Sequence, residues 1–237
     1  GGRGWGGWCV GGGVACGGWG RAVGAGVGGA GGGVGGGGPR GPGRMGRKVA
    51  AGTADVSKGA AMSPMQDQAA VEVGIDVARD LVAQGNRLLV TGDMGIANTT
   101  ASAALISVFT GLEVAEVTGR GTGIDNPMLE RKVAAIQTAI RVNQASAADP
   151  LAALAAVGGL EHAGVVGYLL AAAALRTPVI LDGVIACSAA LVARGIAPHA
   201  ADYWVARTRA VDPGATARPA PPAPAARGGA GTRGGPG

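Results

Sequence analysis

The chain reads as an α/β protein, a mostly parallel sheet with helices on both faces in the Rossmann-like manner. Three observations predict this. Short apolar runs at residues 87–91 and 178–181 are separated by long helix-compatible stretches, the spacing that parallel strands joined by crossover helices require. Glycine-bearing turns follow the strand candidates directly, where open α/β sheets hold their ligands. The acidic residues and the helix-start signals are confined to the middle of the chain, with all fifteen acids between Asp55 and Asp212.

That confinement sets the expected boundaries: a folded α/β unit at residues 45–214, between a glycine-rich stretch at 1–44 and a Pro/Ala/Gly/Arg-rich tail at 215–237. Residues 1–43 hold 24 of the 48 glycines, and such a stretch buries too little apolar surface to offset its ordering entropy. The overall charge of +5 belongs to the flanks, because the span from Asp55 to Asp212 has eleven basic residues against fifteen acidic ones. Both flanks are expected to be unfolded, and their composition is also what GC-rich DNA yields when translated outside its reading frame. A nucleic-acid-binding arm would draw on Arg3, Arg21 and Arg40 with Trp5, Trp8 and Trp19, but the arginines are sparse and no RGG repeat is sustained.

Within the unit each element has a local signature. Ser63-Pro64-Met65-Gln66 combines an N-cap, a proline at the first helical position and a capping-box Gln, opening a helix that Gly85 stops. Residues 87–91 read as a strand, 98–109 as a helix capped by Asn98 or Thr99, and 113–118 as a second strand. Asn126-Pro127 opens a helix to about residue 143, and Asp149-Pro150 opens the next. Gly158-Gly159 breaks that helix before a very apolar one at 160–175, followed by a strand at 178–181 and a helix at 185–194.

Residues 1–43 lack the apolar core of a signal peptide, the apolar run at 163–175 is too short to span a bilayer, and Cys9, Cys16 and Cys187 form neither a disulfide framework nor a zinc site. A cytoplasmic setting without membrane partners is expected. The chemistry should lie in three loops: 92–100 (GDMGIANTT), 119–123 (GRGTG) and Asp182-Gly183. Glycines after strands are often plain turns, but three at equivalent strand ends favour a ligand-binding rim. Helix-start amides can face an anion there, and glycine lets it approach closely. Walker A is absent and GRGTG is followed by Ile124, so the dinucleotide fingerprint is incomplete.

These loops, with Gly158-Gly159-Leu160-Glu161, the stretch at 48–62 (KVAAGTADVSKGAAM), Asn143-Gln144 and the run at 179–183 (VILDG), resemble the nicotinate-nucleotide:dimethylbenzimidazole phosphoribosyltransferases over about residues 45–214. The resemblance implies transfer of a phosphoribosyl group from nicotinate mononucleotide to 5,6-dimethylbenzimidazole, giving α-ribazole 5′-phosphate and nicotinate in cobalamin biosynthesis. It implies no metal, no cofactor and, for the intact enzyme, a homodimer. Asp93 takes an acidic position of the family loop at which Glu is usual, and is the candidate acidic active-site residue. Gly92, Gly95, Asn98, Thr99, Thr100, Gly119, Gly121 and Gly123 are expected to line the nucleotide site, with Lys132 on phosphate or ribose and Gly158, Gly159, Asp182 and Gly183 completing the rim. His162 and His199 are expected to be structural, and Tyr203 and Trp204 to cover core.

The chain also departs from the family pattern. Val184-Ile185-Ala186-Cys187 stands where Phe and Ser are usual, and after Asp212-Pro213-Gly214 no carboxylate follows, whereas the family continues into a segment with a catalytic glutamate. The sequence is therefore expected to be truncated at both ends, missing also an N-terminal half, and impaired in transfer. The alternatives are a nucleotide-binding remnant without chemistry, or a basic nucleic-acid binder acting through the flanks.

Overall fold

The computed structural model describes residues 6–10, 24–26, 44–93, 98–120 and 124–206. In chain order the elements are β1 (Gly6–Val10), β2 (Gly24–Gly26), β3 (Arg44–Gly46), α1 (Pro64–Ala83), β4 (Leu89–Asp93), α2 (Thr99–Thr110), α3 (Val114–Val117), α4 (Asn126–Asn143), α5 (Pro150–Val157), α6 (Leu160–Ala174), β5 (Val179–Leu181), α7 (Gly183–Ile196), a 3-10 turn (Pro198–Tyr203) and β6 (Trp204–Ala206). The main sheet runs β1-β4-β5-β6 and every neighbouring pair is parallel; β2 and β3 form a separate parallel pair. Parallel pairing forces crossovers, and the helices supply them: α2 to α6 return the chain from β4 to β5, and α7 from β5 to β6. This is the α/β architecture with a parallel sheet that the alternation predicts.

The helix starts are built as their residues dictate. The Ser63 hydroxyl accepts from the Gln66 amide at 3.2 Å while the Gln66 side chain accepts from the Ser63 amide at 2.9 Å, a complete capping box. Asp125 caps α4 by accepting from the Met128 amide at 2.9 Å, and Asp149 caps α5 through the Ala152 amide at 3.1 Å. Asn98 breaks the expectation: its backbone is helical and its side chain makes no cap bond, because the amide is turned to Asp93 instead.

Two further expectations change. Residues 113–118 are not a strand, since 114–117 form one helical turn. Val114, Val117 and Thr118 are buried while Ala115 and Glu116 are exposed, a spacing of three and four that a strand, which alternates by two, cannot present to one face. The strand expected at 87–91 is shifted and ends at Asp93, so Gly92 and Asp93 belong to β4 rather than to a loop. Before residue 63 the sequence offers no regular element, yet the backbone forms β1 to β3; of the 215–237 tail nothing lies in the described residues.

The core sits between helices as much as on the sheet. α1 and α6 cross at glycines: a Cβ on Gly74 would fall 1.9 Å from the Gly164 carbonyl oxygen, and one on Gly167 the same distance from the Val71 oxygen. The pairing of 74 with 164 and 71 with 167 runs the helices antiparallel at backbone contact. Residues 160–169 of α6 are all buried, and α6 and α7 both reach β4. Among the described residues no helix is long and apolar enough to cross a membrane.

Candidate active site

The C-terminal ends of β4 and β5 open on the same edge because the strands are parallel. β4 outruns β5 by its last residues, and Thr91 joins them there: its hydroxyl donates to the Ile180 carbonyl at 3.1 Å and accepts from the Asp182 amide at 3.3 Å. Thr91 is buried, so this one side chain replaces ladder bonds that the shorter β5 cannot supply. Asp93 ends β4, and Asp182 follows β5 on the neighbouring strand. Gly183 follows at φ 85°, a left-handed backbone that glycine adopts without strain, and starts α7.

Asp93 is the centre of this edge. One carboxyl oxygen accepts a very short hydrogen bond from the Asn98 side-chain amide, and the other, Oδ1, is buried without a hydrogen-bond partner among the described residues. Burial pushes the Asp93 pKa up from 3.8 to about 6, with the Glu161 charge adding to the rise and His162 and the Asn98 bond opposing it. A carboxyl in that range can both hold and release a proton near neutral pH, as acid-base chemistry needs.

A second tie closes the rim from the side. The Lys132 ammonium, carried by α4, donates to the Thr99 hydroxyl at 2.9 Å and to the Gly119 carbonyl at 3.0 Å. It draws together the start of α2 and the loop after α3, two of the three predicted loops; the second, however, follows a helix and not a strand. Thr100 lies half-buried in the first turn of α2. Gly95, Gly121 and Gly123 lie outside the described residues.

Gly158 and Gly159 are buried and lead into α6, whose second and third residues are Glu161 and His162. His162 has no solvent contact; its Nε2 lies 2.9 Å from the Ser102 hydroxyl of α2 and its Nδ1 lies 3.2 Å from Glu161 Oε1, off the line of a hydrogen bond. Burial raises the Glu161 pKa, but contact with His162 outweighs it and the carboxyl is held below its ordinary value. Sequence reasoning left Ser102 unremarked, gave His162 a structural place and noted Glu161 only as part of a glycine motif. The available signal was a carboxylate two residues after a Gly-Gly break at a helix start. His199 is exposed, and Trp204 packs partly buried against the core.

Some of the predicted residues are brought together: Asp93 with Asn98, and Thr99 with Lys132 and Gly119, while the Asp182 amide is tied to Thr91 of β4. The arrangement offers a half-buried carboxylic acid, a lysine and backbone at helix starts, a set suited to holding an anionic sugar phosphate beside an acid-base group.

Comparison with known proteins shows the family of the chain. Residues 10–218 match the model of the family DBI_PRT, described as phosphoribosyltransferase. The nicotinate-nucleotide–dimethylbenzimidazole phosphoribosyltransferase of Salinispora tropica is 54% identical over 165 residues, which are 70% of this chain and 45% of that protein. The protein of the same name from Chloroflexus aggregans is 50% identical over 176 residues, 74% of this chain and 50% of its own length. The chain spans about half the length of these curated relatives. The crystal structure of CobT from Thermus thermophilus superposes with a TM-score of 0.73 at 37% identity, covering 82% of this chain and 56% of that one.

Proposed function

The chain belongs to the nicotinate-nucleotide–dimethylbenzimidazole phosphoribosyltransferase family, and from that membership we propose that residues 45–214 build the site at which nicotinate mononucleotide gives up its phosphoribosyl group to 5,6-dimethylbenzimidazole. The bond from C1′ to the nicotinate nitrogen breaks, a benzimidazole nitrogen forms the new bond, and the proton on the acceptor's other nitrogen passes to a carboxylate. The products are α-ribazole 5′-phosphate and nicotinate. The observation that carries this reading is the convergence of Asp93, Asn98, Thr99, Gly119 and Lys132 at the end of β4.

In this proposal Lys132 and the start of α2, with Gly92, Gly95, Thr99 and Thr100, meet the phosphate and ribose of the donor. Gly119, Gly121, Gly123, Gly158, Gly159, Asp182 and Gly183 complete the rim. Holding the ribose fixes C1′ between the leaving and the incoming ring, so orientation supplies a large part of the rate. Asp93 faces the ribose, and its ionised form stabilises the positive charge that develops as the glycosidic bond breaks. As a buried acid it is also the retained group able to take a proton. The reading includes a cytoplasmic enzyme that needs no metal or cofactor, forms a homodimer when intact and has no nucleic-acid partner.

A second reading is favoured by the composition after Asp212, which contains no carboxylate to act as the acceptor's base. On it these 237 residues bind the donor and transfer slowly or not at all. One experiment separates the two: calorimetric titration with nicotinate mononucleotide, paired with chromatographic detection of α-ribazole 5′-phosphate after addition of dimethylbenzimidazole. Binding with product supports transfer, binding without product supports the donor-site reading alone, and absence of binding overturns both.

A further inference from the structure

The main sheet forks at Thr91. On one side β4 stays paired with β1 as far as Asp93, while on the other its regular pairing with β5 stops at Val90 and Ile180. The phase of the β4–β5 ladder is set by the Leu89 amide, which donates to the Pro178 carbonyl at 2.9 Å. In a parallel ladder every second residue faces the same neighbour, so after Leu89 it is the Thr91 backbone that faces β5, with the Ile180 carbonyl and the Asp182 amide as the partners of a regular rung. The Thr91 hydroxyl reaches those same two groups, donating to Ile180 at 3.1 Å and accepting from Asp182 at 3.3 Å. A side chain has entered the ladder where β5 gives way to the Asp182-Gly183 turn.

Burial makes this placement specific. Thr91 is 1% exposed, and a buried hydroxyl costs free energy unless its hydrogen bonds are made. Valine has the same shape, suits a strand as well and carries no such cost. A residue that only filled this place would not need the oxygen. The hydroxyl is used where two elements of the candidate site part: β4 runs on through Gly92 to Asp93, and the chain beyond β5 turns through Asp182 and the left-handed Gly183 into α7. A crevice beyond the carboxyl ends of neighbouring parallel strands is where open α/β sheets take their ligands.

We propose that Thr91 is a positioning residue of the donor site: its hydroxyl, inserted between the ends of β4 and β5, holds the Asp182-Gly183 turn at the separation from β4 that admits the ribose of the donor. That the ribose enters the fork rests on the function proposed above; the insertion itself does not. Thr91 acts through the backbone of Asp182, one residue before the turn into α7.

The test uses the full 237-residue chain and three substitutions. Thr91→Val keeps the shape and removes the hydroxyl, Thr91→Ser keeps the hydroxyl and removes a methyl group, and Thr91→Ala removes both. Amide hydrogen exchange without nucleotide reads the insertion. The Asp182 amide is expected to exchange about tenfold faster in Thr91→Val, measured against the Leu89 amide of the same strand pair, and to stay within about twofold in Thr91→Ser. Calorimetric titration with nicotinate mononucleotide reads the positioning, with binding about tenfold weaker in Thr91→Val and restored in Thr91→Ser. Ser63→Ala, which removes the cap of α1, is the control for lost stability and is expected to leave the affinity unchanged.

An Asp182 amide that exchanges at its original rate in Thr91→Val overturns the proposal, as does a donor affinity that Thr91→Val changes no more than Ser63→Ala does. Should Thr91→Val fail to fold, Thr91→Ala and Thr91→Ser decide between them, since they leave the same cavity and differ in the hydroxyl. Slower Asp182 exchange and tighter donor binding in the serine variant support the proposal, and equal values overturn it. If the unmodified chain fails to bind the nucleotide, it is the donor-site reading that falls, while the Asp182 exchange still decides the insertion.

Discussion

Asp93 and Asp67 show how the same residue type acquires different consequences from burial. Asp67 is 5% exposed in α1, one of its oxygens has no hydrogen-bond partner among the described residues, and burial alone raises its pKa to about 6 from an ordinary 3.8. The folded protein holds this proton more tightly than the unfolded chain does. Its contribution to stability is complete below about pH 4 and is lost as the pH rises through 6, an amount on the order of 2–3 kcal/mol. Denaturant unfolding of Asp67→Asn at pH 4 and pH 8 is expected to show that pH dependence reduced relative to the unmodified chain. Asp93→Asn keeps an oxygen for Asn98 to bond but removes the charge, so turnover, where transfer is measurable, is expected to fall by about 10²-fold or more while donor affinity changes by less than about tenfold. Lys132→Ala removes the link to Thr99 and Gly119, and calorimetry is expected to show donor binding weakened by roughly tenfold. Asp93 and Lys132 were legible in the sequence because each lies at a position the family resemblance marks. Glu161, His162 and Ser102 were not, because their meaning depends on which helices meet.

At the scale of elements, the helices follow local rules and the crossings do not. Ser63, Asp125 and Asp149 cap α1, α4 and α5 where a short polar residue precedes a proline or a helical run, and Ser63→Ala is expected to cost about 1 kcal/mol in denaturant unfolding. Nothing local marks Gly74 or Gly167, since glycine inside a helix normally weakens it. They are needed because α1 and α6 touch backbone to backbone, and a methyl group at either would meet a carbonyl oxygen at 1.9 Å. Gly74→Ala is therefore expected to cost more than the roughly 1–3 kcal/mol of an ordinary overpacked core, read from the same unfolding curves. α3 marks the limit of reading apolar residues by eye. Glu113 to Thr118 contains two valines and a threonine, which favour strands, but their spacing of three and four buries one side of a helical turn. Asn98 is the same lesson in reverse: a residue suited to capping is used instead to hold a carboxylate.

For the whole molecule, charge and core separate the chain into a unit and its flanks. Every described buried apolar residue lies between Ala61 and Ala200, and the sequence outside 55–212 has nine basic residues and no acid. We propose residues 45–214 as the folded unit, and limited proteolysis is expected to leave a fragment bounded near residues 44 and 214, identified by intact mass. Retention of residues 6–10 in the resistant fragment would show that the backbone pairing of β1 with β4 extends the unit into the glycine-rich flank. The α/β class, most helix boundaries, the position of the acidic segment and the family could all be read along the chain, because propensities, caps and motifs act over a few neighbouring residues. Three things required the folded chain: that Asp93 ends a strand rather than sitting in a loop, that its carboxyl is buried, and that His162 of α6 meets Ser102 of α2. Burial and side-chain contacts are set by which faces pack together, and residues 60 positions apart, as Ser102 and His162 are, meet only once α2 and α6 have packed on each other.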